Sequence, residues 1–311
     1  MTIRKHHITL NDFPIESGKI SFNVLQKVAA MFQTVAGGSL RLVMEGISSK
    51  KGPKPKWLEK SIDFQLTGLE KGSTHLVVEA PLLKKTLVQP QISLFGRSPE
   101  SLQKYTGIDL ALESFRQAFR ETNNDDLLDK HLLREMEEYR SLFSGTKKVI
   151  EITGYVSEKP VKISAQSFDN IKELEEQTPP PSRARVTGIL DLMQYSKDLI
   201  QIQTKQGAIR AILSGDITFG EISTFFGKKV TLEGIANFKP SAKISAIEVE
   251  KVRLATKKDD WFTQEPSPIK EQLDFNELRA KQQYKGTKLD EVIGQWPGDE
   301  SIEELLEMLN K

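Results

Sequence analysis

The sequence predicts an α+β fold class: an N-terminal α+β domain over residues 1–145, a small β-rich barrel domain over 146–255, and an extended helical C-terminal tail over 256–311. Three observations carry this. Helix and strand periodicities mix over the first half of the chain, a run of short strands with one helix follows, and the last stretch turns polar before ending in two apolar stripes. With 311 residues the chain has room for two domains and an extension, at roughly 150 residues per domain.

In the first domain, Ile20, Val24, Val28, Met31, Phe32 and Val35 share one face at helical spacing, and the pair Gly37-Gly38 is expected to end that helix as a C-cap. Residues 39–47 and 62–69 alternate like half-buried strands. A third strand is expected at 74–80, after the turn Glu70-Lys71-Gly72-Ser73. Residues 108–120 and 127–143 return to helical spacing, so helices are expected on one face of a small antiparallel sheet.

Past Gly145 the pattern turns to β. Residues 149–155 read as a strand expected to extend the sheet of the barrel, and Thr178-Pro179-Pro180-Pro181 reads as a linker, because prolines continue neither a ladder nor a helix. Strands then follow at 183–190, 199–204 and 208–213, a short helix at 219–226, and strands at 229–236 and 244–252. Three strands, a helix, then two strands resembles the order of an OB-fold barrel.

Composition narrows the chemistry. Basic and acidic residues number 44 and 43, so the chain as a whole lacks the positive field of a dedicated nucleic-acid binder. The absence of cysteine excludes disulfides, thiolate zinc sites and a cysteine nucleophile. The polar, charged first ten residues do not resemble a secretion signal and no apolar run is long enough to span a bilayer, so a cytoplasmic protein is expected.

Catalytic signatures are missing. There is no Gly-x-x-x-x-Gly-Lys loop. His6 and His7 are adjacent and fall on opposite faces of any strand, while His75 and His131 have no second ligand at helical spacing. Asp125-Asp126 follows Asn123-Asn124 and reads as a polar turn. No catalytic residue, metal or cofactor is expected. Nucleic acid has one candidate surface, the basic loop with Lys50, Lys51, Lys54, Lys56, Trp57 and Lys60, where an aromatic among lysines has the makings of a base-stacking site. The second and third barrel strands carry one arginine and no aromatic, a poor face for single strands.

The tail carries the strongest recognition signal. Leu289, Val292, Ile293 and Trp296 form one helical stripe; Ile302, Leu305, Leu306 and Leu309 form a second. Pro297, Gly298, Asp299 and Glu300 separate them, and Ser301 with Glu304 makes a capping box for the second helix. Such a segment fits an apolar groove.

This tail resembles the C-terminal tails of bacterial antitoxins that neutralise PIN-domain ribonuclease toxins. The likeness covers about 25 residues around Trp296-Pro297-Gly298-Asp299-Glu300. It implies a toxin–antitoxin role in which the tail fills a toxin groove beside an acidic, magnesium-dependent site. Trp296 would be the anchor, Ile302, Leu305, Leu306 and Leu309 the docked stripe, and Asp299 and Glu300 the cap. Such antitoxins are smaller and carry a DNA-binding module that nothing before Gly145 resembles, so transcriptional autoregulation is not implied. Two other readings stand beside this one: a nucleic-acid adaptor using the barrel and the Lys50–Lys60 loop, and a structural protein whose tail packs on its own domains.

Overall fold

A computed structural model describes residues 3–13, 19–70, 74–87, 102–144, 147–154, 159–195, 198–215 and 217–268. Both tail stripes lie outside these residues. Contacts divide the chain into Met1–Ile269, which holds every described element, and Lys270–Lys311.

The first sheet is built around an element that periodicity did not reveal. Strand β1 (Ile3–Asn11) runs antiparallel to β3 (Thr74–Pro81) on one side and β4 (Val149–Ile152) on the other. With β2 (Gln65–Glu70) and β5 (Val161–Ser164) the order is β2-β3-β1-β4-β5. Its inward positions include His6, Ile8 and Leu10, and a histidine at a core position hides the alternation. Thr106 Oγ1 donates to Asp109 Oδ2 at 2.9 Å, so at 3.0 Å it accepts from His6 Nε2–H, fixing β1 to the N-cap of helix α4 (Gly107–Ala118).

Helix α1 (Phe22–Met44) starts at Ser21, whose hydroxyl accepts from the Val24 amide, and runs straight through Gly37 and Gly38. The expected C-cap at that pair and the expected strand over 39–47 are both replaced by helix. Residues 39–44 are buried on every side, so the amphipathic stripe vanishes and the run imitates a strand. Ser39 Oγ donates back to the Val35 carbonyl and meets Ser114 Oγ of α4 at 2.6 Å. Gly38 is there for close approach: a Cβ would lie 2.6 Å from Leu132 Cδ1 of helix α5 (Lys130–Glu138). At Gly37 the nearest atom is 3.9 Å away.

Short helices α2 (Lys56–Ser61) and α3 (Leu83–Thr86) flank β2 and β3, and α5 passes into a 3-10 turn, Tyr139–Phe143. The strand expected to extend the barrel is β4, and it belongs to the first sheet. Ile150 and Ile152 share the apolar core of Ile8 and Leu10, as do Val161 and Ile163 of β5, so the boundary expected after residue 145 cuts this sheet. Helix α6 (Ala165–Gln177) closes the domain, with Phe168 against Phe143 at 5.2 Å between centroids.

Beyond the prolines lie β6 (Ser182–Gln194), β7 (Leu199–Gln203), β8 (Ala208–Leu213), helix α7 (Phe219–Ser223), β9 (Lys229–Phe238) and β10 (Ile244–Leu254). They close a barrel in the order β10-β8-β7-β6-β9, with β8 and β10 parallel. This closed five-stranded barrel has the connectivity expected from the sequence and fits an OB-type fold. Its core, including Val186, Ile200, Ile202, Leu232, Phe238 and Ile247, is separate from that of the first sheet. No helix among the described residues is long and apolar enough to cross a membrane.

The packing of α1 and the burial of His6 can both be measured. Gly37→Ala is expected to stabilise the protein by about 0.5–1 kcal/mol in chemical denaturation, the gain in helix propensity, while Gly38→Ala gains nothing because Leu132 must move. Burial holds the His6 imidazole below its ordinary value of 6.5, against the pull of Asp109. Below pH 6.5 the unfolded chain therefore binds protons that folded His6 refuses, and the melting temperature should fall from neutral to mildly acidic pH. His6→Gln, which keeps a donor for Thr106, should flatten that slope.

Candidate functional site at the domain junction

The end of a helix leaves its last carbonyls without intrahelical partners and carries partial negative charge. At this end of α1 the Leu42 carbonyl keeps the Gly46 amide as a partner, and the barrel adds donors of its own. Arg210 of β8 donates to the Leu42 carbonyl at 3.4 Å, and Ser245 Oγ of β10 donates to the Gly46 carbonyl. Gly46, at φ +84°, is the glycine that ends the helix, its amide donating to the Arg41 and Leu42 carbonyls. It also lies against the barrel: a Cβ there would be 2.9 Å from Ala246 Cβ and 3.0 Å from the Ser245 carbonyl.

Around this contact the two domains are bound together. Ile47, Ile212 and Ala246 form a small apolar cluster across the junction. Lys239 pairs with Asp126, and the Ser241 amide donates to Asp125 Oδ2 at 2.6 Å, so the expected polar turn at Asp125-Asp126 holds the β9–β10 connection. Burial pushes the Arg210 guanidinium down to about 10, with Asp126 opposing the shift, and it stays charged at neutral pH. A cavity of about 310 Å³ remains beside Arg210, lined also by Leu42, Asp126, Lys239 and Glu265.

Barrels of this connectivity receive single strands on their second and third strands, here β7 and β8. The first domain meets the β8 part of that region and two connections beside it. The outward residues Arg210 and Ile212 of β8 face α1 and Ile47, the β9–β10 connection is tied to Asp125 and Asp126, and Asp198 in the β6–β7 connection pairs with Lys50 at 3.7 Å.

The basic loop expected to meet nucleic acid leads out of α1, and the structure divides its residues. Lys50 and Lys51 line a cleft of about 490 Å³ at the junction, with Ser49, His131, Ser214 and Asn237. Lys54 lines a smaller cavity of about 180 Å³ with Gln33, Arg41 and Glu135. Burial raises the Glu135 carboxyl above the usual carboxylate range, and Glu138 and Asp129 add to this against His131 and Lys54. Lys56, Trp57 and Lys60 sit on α2; both lysines are exposed, but Trp57 is half-buried against the core of the first domain. The loop starts from a fixed point, since Asp129 accepts from the Ser48 amide at 2.8 Å and the Ser48 hydroxyl at 2.7 Å while capping α5 at the Leu132 amide.

Among the described residues, no group of three or more His, Cys, Asp or Glu is placed to hold a metal ion. The expected partner-binding residues Leu289, Val292, Ile293, Trp296, Pro297, Gly298, Asp299, Glu300, Ile302, Leu305, Leu306 and Leu309 lie outside the description. The sequence matches no protein-family model and no curated protein. Gly46, Arg210 and Ser245 were not singled out by sequence reasoning. The single arginine in an apolar strand was the one visible signal.

Loss of these junction contacts should register as stability. Gly46→Ala forces a side chain into the left-handed region and against Ala246, and should lower the unfolding free energy by about 2 kcal/mol. Arg210→Met, which removes a charged donor from a helix end, should cost about 2 kcal/mol, and a urea titration reads both variants.

Proposed function

We propose that this protein is a non-enzymatic binding protein whose segment beyond residue 268 engages a protein partner, in the manner of an antitoxin. One observation supports preferring this to a nucleic-acid adaptor working through the barrel's usual strand-binding face. The β8 part of that face is engaged in cis by α1 and Ile47, so a single strand lying across it would have to displace those contacts.

The sequence of that chain supplies the recognition chemistry. Its two stripes offer Trp296 and aliphatic side chains for an apolar groove, and Asp290, Glu291, Asp299, Glu300, Glu303, Glu304 and Glu307 make the same stretch strongly acidic. Burying Trp296 with the second stripe would stabilise a complex by several kcal/mol, at about 25 cal/mol per Å² of apolar surface. The resemblance to antitoxin tails names the partner class, a PIN-type ribonuclease whose groove takes Trp296 as anchor and Ile302, Leu305, Leu306 and Leu309 as the docked stripe.

The test uses the tagged full chain expressed in its own host, with partners recovered by pull-down and their affinity measured on the purified complex. Trp296→Ala should weaken that complex by more than ~1 kcal/mol. Full binding by the variant, or recovery of no protein partner by the parent chain, would end this reading.

A further inference from the structure

A second stretch of barrel surface stands apart from the contacts that engage β8. Strands β6, β9 and β10 run side by side with Arg185 opposite Glu233, Ile189 opposite Lys229, and Arg253 opposite Thr231. The chain leaves β10 and folds back over this face as a 3-10 turn, Lys257–Phe262, termed here the strap. Asp259 accepts both terminal guanidinium nitrogens of Arg253, at 2.7 and 2.6 Å, and also the Thr256 amide and hydroxyl. Asp260 pairs with Lys229, and the Phe262 ring lies 4.9 Å from the Arg185 guanidinium. Thr187 and Thr231, hydrogen-bonded to each other at 3.0 Å, are buried on this same side.

The strap is therefore firmly held, and what it presents outward is unusual for a surface that binds nothing. Trp261 is 88 % exposed, in a turn whose neighbours Asp259 and Phe262 are both tied to the barrel. A large aromatic ring on a rigid turn, left in water, is a ready stacking platform. At the Phe262 end of the strap lies a groove of about 300 Å³, lined by Arg183, Arg185, Lys251 and Phe262 together with Glu233 and Glu250.

Charge decides what would lie there. The anions of this face are already engaged: Glu233 with Arg185 at 3.0 Å, Glu250 with Arg183 at 3.6 Å, Asp259 with Arg253, and Asp260 with Lys229. Lys251, Lys257 and Lys258 have no ion-pair partner among the described residues. Seven cations thus face four anions, on a chain whose net charge is only +1. Exposed lysines around an exposed tryptophan combine phosphate attraction with base stacking, the two terms that hold single strands without sequence readout.

We propose that the strap face binds single-stranded nucleic acid, with a base stacked on Trp261 and phosphates held by Lys251, Lys257 and Lys258. This goes beyond the protein-binding role of the tail and does not depend on it. Neither the β7–β8 face nor the Lys50 loop takes part.

The test is fluorescence anisotropy of the full chain with a labelled oligothymidylate and a labelled oligouridylate across a salt series. Binding should weaken steeply as salt rises, with Trp261→Ala about tenfold weaker and Trp261→Phe largely restoring affinity. Lys257→Gln with Lys258→Gln should reduce the slope of log affinity against log salt by about 1.4, at ~0.7 per phosphate contact on a single strand. Because these side chains point into solvent, the variants should keep the parent melting temperature, which separates lost binding from lost folding. Three results would overturn the proposal: no salt-dependent binding of either oligonucleotide, as expected if the face receives an acidic protein instead; binding unchanged in the Trp261 and lysine variants; or binding abolished only by charge reversal at Lys50 and Lys51.

Discussion

The carbonyl end of α1 is the point on which the arrangement of the two domains depends. A helix end carries partial negative charge, and here the barrel places two donors against it: Arg210 on the Leu42 carbonyl, which also accepts the Gly46 amide, and Ser245 on the Gly46 carbonyl just past the helix. The guanidinium also places positive charge at the negative end of the helix dipole, which offsets part of the cost of burying it. Gly46 makes the approach possible twice over, by turning the chain in the left-handed region and by having no side chain where Ala246 sits. Direction and distance between α1 and β10 are thereby set together.

Much follows from that contact. The chain leaves α1 heading along the barrel, so Ser48 meets Asp129 and Lys50 meets Asp198, and the loop that looks in sequence like a free basic hairpin becomes one wall of a cleft. The same contact engages the outward side of β8. A barrel whose connectivity would suit single-strand binding is held to its neighbour through that region, while the strap and the far side of β6 and β9 stand apart from it. Near-neutral net charge conceals this, because excess cations at the strap are balanced by acids elsewhere.

Legibility varied with how local the cause was. The barrel strands could be read because Ile200 and Ile202, or Ile209 and Ala211, alternate inward with polar or small residues between them, and because their order along the chain is distinctive. The second half of α1 could not. Leu40, Leu42, Val43 and Met44 are all buried, so no face remains polar and the helical period disappears. β1 was hidden by His6, a core histidine whose partner Thr106 is a hundred residues away. β4 was legible as a strand but not as a member of the first sheet, because an alternating pattern does not name its neighbour. At the candidate site, the Lys50 loop was visible as a cluster of charge, but nothing nearby in sequence shows that Trp57 turns toward the core.

Local sequence alone determined the strand–helix order of the barrel, the turn at Asp125-Asp126 and the proline break after Thr178, since each depends on residues close to one another in the chain. Tertiary structure decided which glycine ends α1, which sheet receives β4, what engages β8 and where the strap lies. Those outcomes depend on pairs such as Arg210 with Leu42, Ser245 with Gly46 and Asp259 with Arg253. The first two join residues more than 150 positions apart, and the third, though close in sequence, takes its meaning from the strands beneath it. Periodicity records which face of an element avoids water; only packing decides which other surface meets it.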